Sequence, residues 1–132
     1  MKYVLDTDTL IYFLKGYTNV VERVSNILPE EMTTTIINHS ELLFGAFNSV
    51  KKKQNLEKIE DFLDKIHILP FCKESSRIFA EQKASLKKHG NIIADLDLMI
   101  ASIVLRHQIT LVTNNIKHFA RIKFLKIENW RD

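Results

Sequence analysis

Hydrophobic and polar positions alternate along this chain in short blocks whose period changes repeatedly. Lys2 to Leu5 is a brief apolar run that stops abruptly at Asp6, and it reads as a first strand. Thr9 to Leu14 continues as a short helix that ends near Gly16, and Val20 to Leu28 has helical apolar spacing that closes before Pro29. Met32 to Ile37 is rich in β-branched residues and predicts a second strand, followed by a helix over Asn38 to Phe47. Leu56, Ile59, Phe62, Leu63 and Ile66 recur at threes and fours, the mark of another amphipathic helix. His67 to Leu69 is a third strand closed by Pro70, and Ser75 to Lys88 a helix closed by Gly90. Leu96 to Leu105 is apolar nearly all round, which predicts a buried helix. Ile109 to Thr113 is a further strand, and Phe124 to Trp130 adds a short edge strand. Strands that alternate with helices imply an α/β protein with a parallel sheet, whose functional crevice lies beyond the carboxyl ends of the strands.

Composition narrows this without changing it. The 132 residues fit one domain over 1–132, with 45% apolar and 27% charged residues, as in ordinary globular proteins. Three glycines and two prolines are too few for an all-β fold rich in tight turns. The net charge of +3 permits a polyanionic partner. Cys72 is the only cysteine, so internal disulfides and CxxC metal or redox motifs are excluded; it is expected to be a buried thiol. The longest apolar run falls far short of the roughly 20 residues of a membrane span, and Asp6 and Asp8 interrupt any signal-peptide core. A soluble, cytoplasmic protein is expected.

The polar residues acquire meaning once placed on this frame. Asp6 ends the first strand, Glu41 lies one turn into the helix after the second, and Asp97 lies in the first turn of the buried helix. Thr113, Asn114 and Asn115 end a later strand. Taken singly, each acid has a structural use: Asn38 and Glu41 fit a capping box, and Asp95 fits an N-cap with Asp97 favoured by the helix dipole. Asp6 is harder to account for, because an acid at a strand end between helices needs a partner. Jointly, two carboxylates about 5 Å apart repel by roughly 3 kcal/mol at an effective dielectric near 20. Three converging acids require a cation or protons, and hard oxygen ligands select Mg²⁺ or Mn²⁺. With no cysteine pair and no i, i+4 histidines, the cluster points to metal-assisted phosphodiester chemistry. Lys51, Lys52 and Lys53 read as a solvated helix start, and Trp130 as packing for the C-terminus.

At these positions the sequence resembles a known family. Tyr3-Val4-Leu5-Asp6-Thr7-Asp8-Thr9-Leu10-Ile11 is similar to the opening of PIN-domain proteins of the VapC type. Ser40-Glu41-Leu42 with Gly45, Asp97-Leu98-Met99-Ile100-Ala101, and Leu111-Val112-Thr113-Asn114-Asn115 with Phe119 resemble the motifs that follow, and Leu125 through Trp130 resembles their ending. The resemblance implies a PIN-like α/β/α sandwich with a central, mostly parallel sheet, and a divalent-metal endoribonuclease that is the toxin of a type II toxin–antitoxin pair. It implies Asp6, Glu41 and Asp97 as the metal-binding and catalytic acids, with Mg²⁺ as cofactor and Mn²⁺ as substitute. Thr7, Ser40, Thr113 and Asn115 are the expected positioners of water or phosphate. The implied partners are RNA as substrate, a small cognate antitoxin, operator DNA through that antitoxin, and a second copy in a homodimer. The Leu42, Leu43, Phe44 and Phe47 cluster exceeds what one helix face needs and supports such contacts.

Two departures stand out: Asp8 where the family usually has Asn, and Asn115 where many members carry an acid. The first is isosteric and is expected to change little. The second predicts one metal in the free protein, held mainly by Asp6 and Asp97, with any second one arriving with RNA. Two other functions fit parts of the pattern. Asp6-Thr7-Asp8-Thr9 matches the DxDxT signature of haloacid-dehalogenase-type phosphatases, but the paired acids that such enzymes need later in the chain are missing. A non-catalytic PIN-like module binding RNA or antitoxin would have little use for all three acids.

Overall fold

The computed structural model describes all 132 residues. Five strands form one sheet in the order β3-β2-β1-β4-β5, and every neighbouring pair is parallel. They are β1 (Tyr3–Leu5), β2 (Met32–Thr35), β3 (His67–Leu69), β4 (Thr110–Val112) and β5 (Lys126–Glu128). The helices are α1 (Thr7–Leu14), α2 (Thr18–Ser25), α3 (Ile36–Phe47), α4 (Lys52–Leu63), α5 (Lys73–Lys88), α6 (Asp95–His107) and α7 (Ile116–Phe119), with a 3₁₀ turn at Pro29–Glu31. No helix is long and apolar enough to cross a membrane.

Strand β1 is buried on both faces and divides the interior by its period of two. Val4 joins a core with Leu111 from β4, Ile100, Ile103 and Val104 from α6, and Phe119 from α7. Tyr3 and Leu5 face the other way, into a core with Leu10, Val20, Leu42, Leu63 and Trp130. The result is an α/β/α sandwich. The threonines of β2 are tolerated inside it because Thr33 and Thr34 donate their hydroxyls to the carbonyls of Tyr3 and Leu5, at 2.8 and 2.7 Å.

The chain runs β1, β2, β3 toward one edge and then returns to place β4 on the far side of β1. Strand order therefore reverses at the β1–β4 boundary, where crevices form in such sheets. Asp6 follows β1 at that boundary and Thr113 follows β4.

Several boundaries differ from the sequence-based expectations. Helix α3 begins at Ile36, because Thr35 is its N-cap and Asn38 closes the capping box by reaching back to Thr35. Glu41 lies one turn further on, free of any capping duty. Asp95 is not an N-cap: Ala94 holds that position, and Asp95 pairs with Lys83 at 2.9 Å. Cys72 is half-buried rather than buried, its sulfur 3.4 Å from the Ser75 hydroxyl. Trp130 is fully buried and packs edge-on against Tyr3, as its place in the sequence suggested. Lys51, Lys52 and Lys53 are exposed.

Candidate active site

The switch point holds Asp6, the one charged side chain among the buried residues. Asp6 is buried and acts as the N-cap of α1, its Oδ1 accepting from the Thr7 amide at 2.9 Å. The same oxygen accepts from Asn38 Nδ2 at 3.0 Å, and Oδ2 accepts from the Thr113 hydroxyl at 2.7 Å. Asn38 also donates to Thr7 Oγ1 at 2.9 Å, and that hydroxyl donates to Glu41 Oε1 at 2.6 Å. Glu41 is thus tied to Asp6 through one hydroxyl and one amide, although the two stand on different elements.

Asp8, half-buried, completes this end of α1. Its Oδ1 accepts from the Thr9 amide at 2.6 Å, and the Thr9 hydroxyl lies between it and the Val112 carbonyl, at 3.2 and 3.1 Å. Its Oδ2 accepts from the Asn114 amide at 3.1 Å and, more weakly, from the Thr113 hydroxyl at 3.4 Å. Asp97 approaches from the first turn of α6, with His118 Nε2 of α7 at 3.2 Å from its Oδ2.

Charge at this site is poorly balanced. Burial pushes the Asp6 carboxyl up to about 7, with Asp8 and then Asp97 adding repulsion, against the bonds from Thr113 and the Thr7 amide. Asp97 is also raised, by burial first and by Asp8 as well, with His118 opposing. No three His, Cys, Asp and Glu side chains are gathered into a ready metal cage. The donor set nevertheless suits Mg²⁺, which binds through one or two carboxylates and keeps several waters rather than demanding an all-protein shell. Every acid here is an oxygen donor, and the buried Asp6 carboxylate lacks a cationic neighbour.

The other expected positioners are placed variously. Thr7 and Thr113 hold acids directly. Ser40 turns its hydroxyl back to the Ile36 carbonyl of its own helix at 3.0 Å and is exposed. Asn115 is exposed, its amide donating to Thr113 Oγ1 at 3.0 Å. Sequence reasoning overlooked Asn38, whose capping spacing concealed its second use, and gave no role to Asp8 or His118. For His118 the signal was its nearness to the Thr113–Asn115 segment. Beside Glu41 runs a shallow cleft lined by Ile37, Ser40, Glu41, Phe44 and Leu96, of which Phe44 and Leu96 are exposed.

The family model of the PIN domain matches residues 3–125, and the chain belongs to the PIN-domain family. Its relatives there are VapC proteins. It is 36% identical over 132 residues to "Ribonuclease VapC2" of Rickettsia felis, covering 98% of each chain. Among solved structures it matches VapBC2 of the same organism bound to a promoter DNA fragment, with 34% identity and a TM-score of 0.88 over 98% of this chain and 99% of that one. It matches DNA-bound VapBC from Salmonella typhimurium with 30% identity and a TM-score of 0.92 over 98% of each.

Proposed function

We propose that this chain is the ribonuclease toxin of a VapBC-type pair, and that it hydrolyses RNA phosphodiester bonds with Mg²⁺, or Mn²⁺ in its place. The observation that carries this is the gathering of Asp6, Asp8, Glu41 and Asp97 at the switch point with one histidine against them. Asp6 and Asp97 would hold the ion, with Glu41 beside them. Once bound, a divalent ion supplies charge for the scissile phosphate and lowers the pKa of an attacking water. The chain's own groups supply position. Thr113, Asn38 and the Thr7 amide fix both oxygens of Asp6, so the carboxylate is set before substrate arrives. Thr7 fixes Glu41 Oε1 and leaves its second oxygen for water. A phosphatase mechanism on Asp6 and Asp8 is not favoured, since the donors around Asp8 leave it poorly placed to act as a general acid.

The partners follow from the relatives and the surface. An antitoxin segment would lie along the cleft of Ile37, Phe44 and Leu96, where an arginine could reach the acids in a forked geometry. Promoter DNA would be reached through that antitoxin. Phe47, exposed with Phe44 on α3, supports pairing of two copies. The test is cleavage of total RNA with Mg²⁺, with Mn²⁺ and with chelator, by wild type and by Asp97→Ala. Metal-dependent cleavage by wild type, reduced at least about a thousandfold in the variant, is expected. Cleavage that survives chelator, or equal cleavage by both proteins, would refute it.

A further inference from the structure

Asp8 shares a short segment of chain with Asp6 and yet is built differently. Each oxygen of Asp8 accepts from a backbone amide, Oδ1 from Thr9 at 2.6 Å and Oδ2 from Asn114 at 3.1 Å, while the Thr9 and Thr113 hydroxyls beside it have nearer acceptors in the Val112 carbonyl and Asp6 Oδ2. The group is thereby held at both oxygens by backbone N–H groups. It also joins two elements that are distant in sequence, the first turn of α1 and the segment after β4. Donors at both ends demand an acceptor at both ends. An asparagine has the same shape, but it would set its NH₂ against either the Thr9 or the Asn114 amide, and donor would face donor. The charge is therefore specified by the hydrogen-bond pattern and not by shape. The Thr113 hydroxyl, which donates to Asp6 Oδ2 at 2.7 Å, lies 3.4 Å from Asp8 Oδ2, so the two carboxylates flank one hydroxyl. The exposed amide side chain of Asn115 adds no charge at the end of this same segment.

We propose that Asp8 is the fourth carboxylate of the site, a fixed negative charge that clamps Thr113–Asn115 to α1 and draws a divalent ion toward Asp6 and Asp97. The inference rests on the metal-dependent function proposed above. In that role Asp8 is a positioning residue. The segment it clamps carries the hydroxyl that orients Asp6.

The experiment is titration calorimetry of the RNA-free protein with Mn²⁺ alone, at low and at high ionic strength. Wild type is compared with Asp8→Asn, Asn115→Asp and the double variant. Asp8→Asn is expected to bind Mn²⁺ about tenfold more weakly at low salt, with the gap narrowing at high salt as screening grows. Asn115→Asp adds a carboxylate to the segment that Asp8 clamps, so it should tighten binding in the wild-type background and recover most of the loss in the double variant. A purely structural role for Asp8 predicts the opposite pattern: a salt-independent loss that charge at position 115 does not repair. That pattern, or wild-type affinity in Asp8→Asn, overturns the proposal. If Asp8→Asn fails to fold, Asn115→Asp alone decides, and no gain in Mn²⁺ affinity overturns it. Wild type that binds no Mn²⁺ would instead overturn the metal-dependent function, and this inference with it.

Discussion

Two polar regions flank the sheet, and they are built on opposite principles. At the C-terminal corner, charge is matched. Arg23 pairs with Glu128 at 2.9 Å and lies over the Trp130 ring at 5.0 Å. Trp130 Nε1 donates to the same Glu128 at 3.0 Å, and the Arg131 guanidinium lies over the rings of Tyr12 and Tyr17, at 5.1 and 4.7 Å. At the switch point charge is unmatched: Asp8 and Asp97 both repel Asp6, Asp8 repels Asp97, and His118 stands against Asp97 only. The corner holds the fold, whereas the switch point holds an electrostatic deficit that a ligand can relieve. Sites tuned for chemistry commonly carry such a cost in stability.

Substitutions can break this contrast from either side. The largest expected effect is at Asp6→Asn. The Asn38 amide and the Thr7 N–H can still be accepted by the remaining oxygen, and the Thr113 hydroxyl can turn to accept from the new NH₂. The fold should survive while RNA cleavage falls by about a thousandfold or more, as expected when a principal metal ligand is neutralised. Retention of cleavage would show that Asp6 serves structure alone.

Next in size is the corner. Trp130→Ala empties a fully buried site against Tyr3 and should cost about 3–5 kcal/mol in denaturant unfolding. Divalent-ion affinity of the folded fraction should be unchanged. A loss of affinity as large as the loss of stability would mean that the two regions are not separate.

A smaller and opposite effect concerns pH. The Asp6 carboxyl is near 7 in the folded protein and near 3.8 as an ordinary Asp, so the folded state binds the proton more tightly. Its contribution to stability is complete below about 3.8 and is lost as pH rises through about 7. In chelator, wild type should therefore weaken between pH 4 and 8 by up to a few kcal/mol, and Asp6→Asn should lack that component. Equal pH profiles by thermal melting would contradict the assignment. The smallest effect belongs to Arg23→Gln. It removes one side of a half-exposed pair and some contact with Trp130, worth about 1 kcal/mol or less, and leaves cleavage unaltered.

Much of this was legible in the sequence, for identifiable reasons. The arrest of a buried strand at Asp6 and the apolar helix carrying Asp97 are strong local signals, because burial leaves few alternatives at such positions. The alternation that predicted a parallel sheet also predicted the edge on which these acids meet. The start of α3 was hidden because Thr33 to Ile37 is β-branched throughout, and Thr35 suits a strand as well as a cap. Asn38 then looked like a cap alone, although in the fold its amide nitrogen holds both Asp6 and Thr7. Asp8 looked interchangeable with asparagine because shape is visible in a sequence. The backbone amides of Thr9 and Asn114 that require its charge are brought together only by the fold. His118 sits on a single helical turn that periodicity cannot detect.

The central claim is that the deficit at the switch point exists to be filled by a divalent ion. Thermal melting at pH 8, with Mg²⁺ against chelator, in wild type and in Asp6→Asn, tests it most directly. Mg²⁺ should raise the melting temperature of wild type and leave that of the variant nearly unmoved, with the variant the more stable of the two in chelator. A wild-type melting temperature indifferent to Mg²⁺, or an equal rise in both proteins, would contradict it.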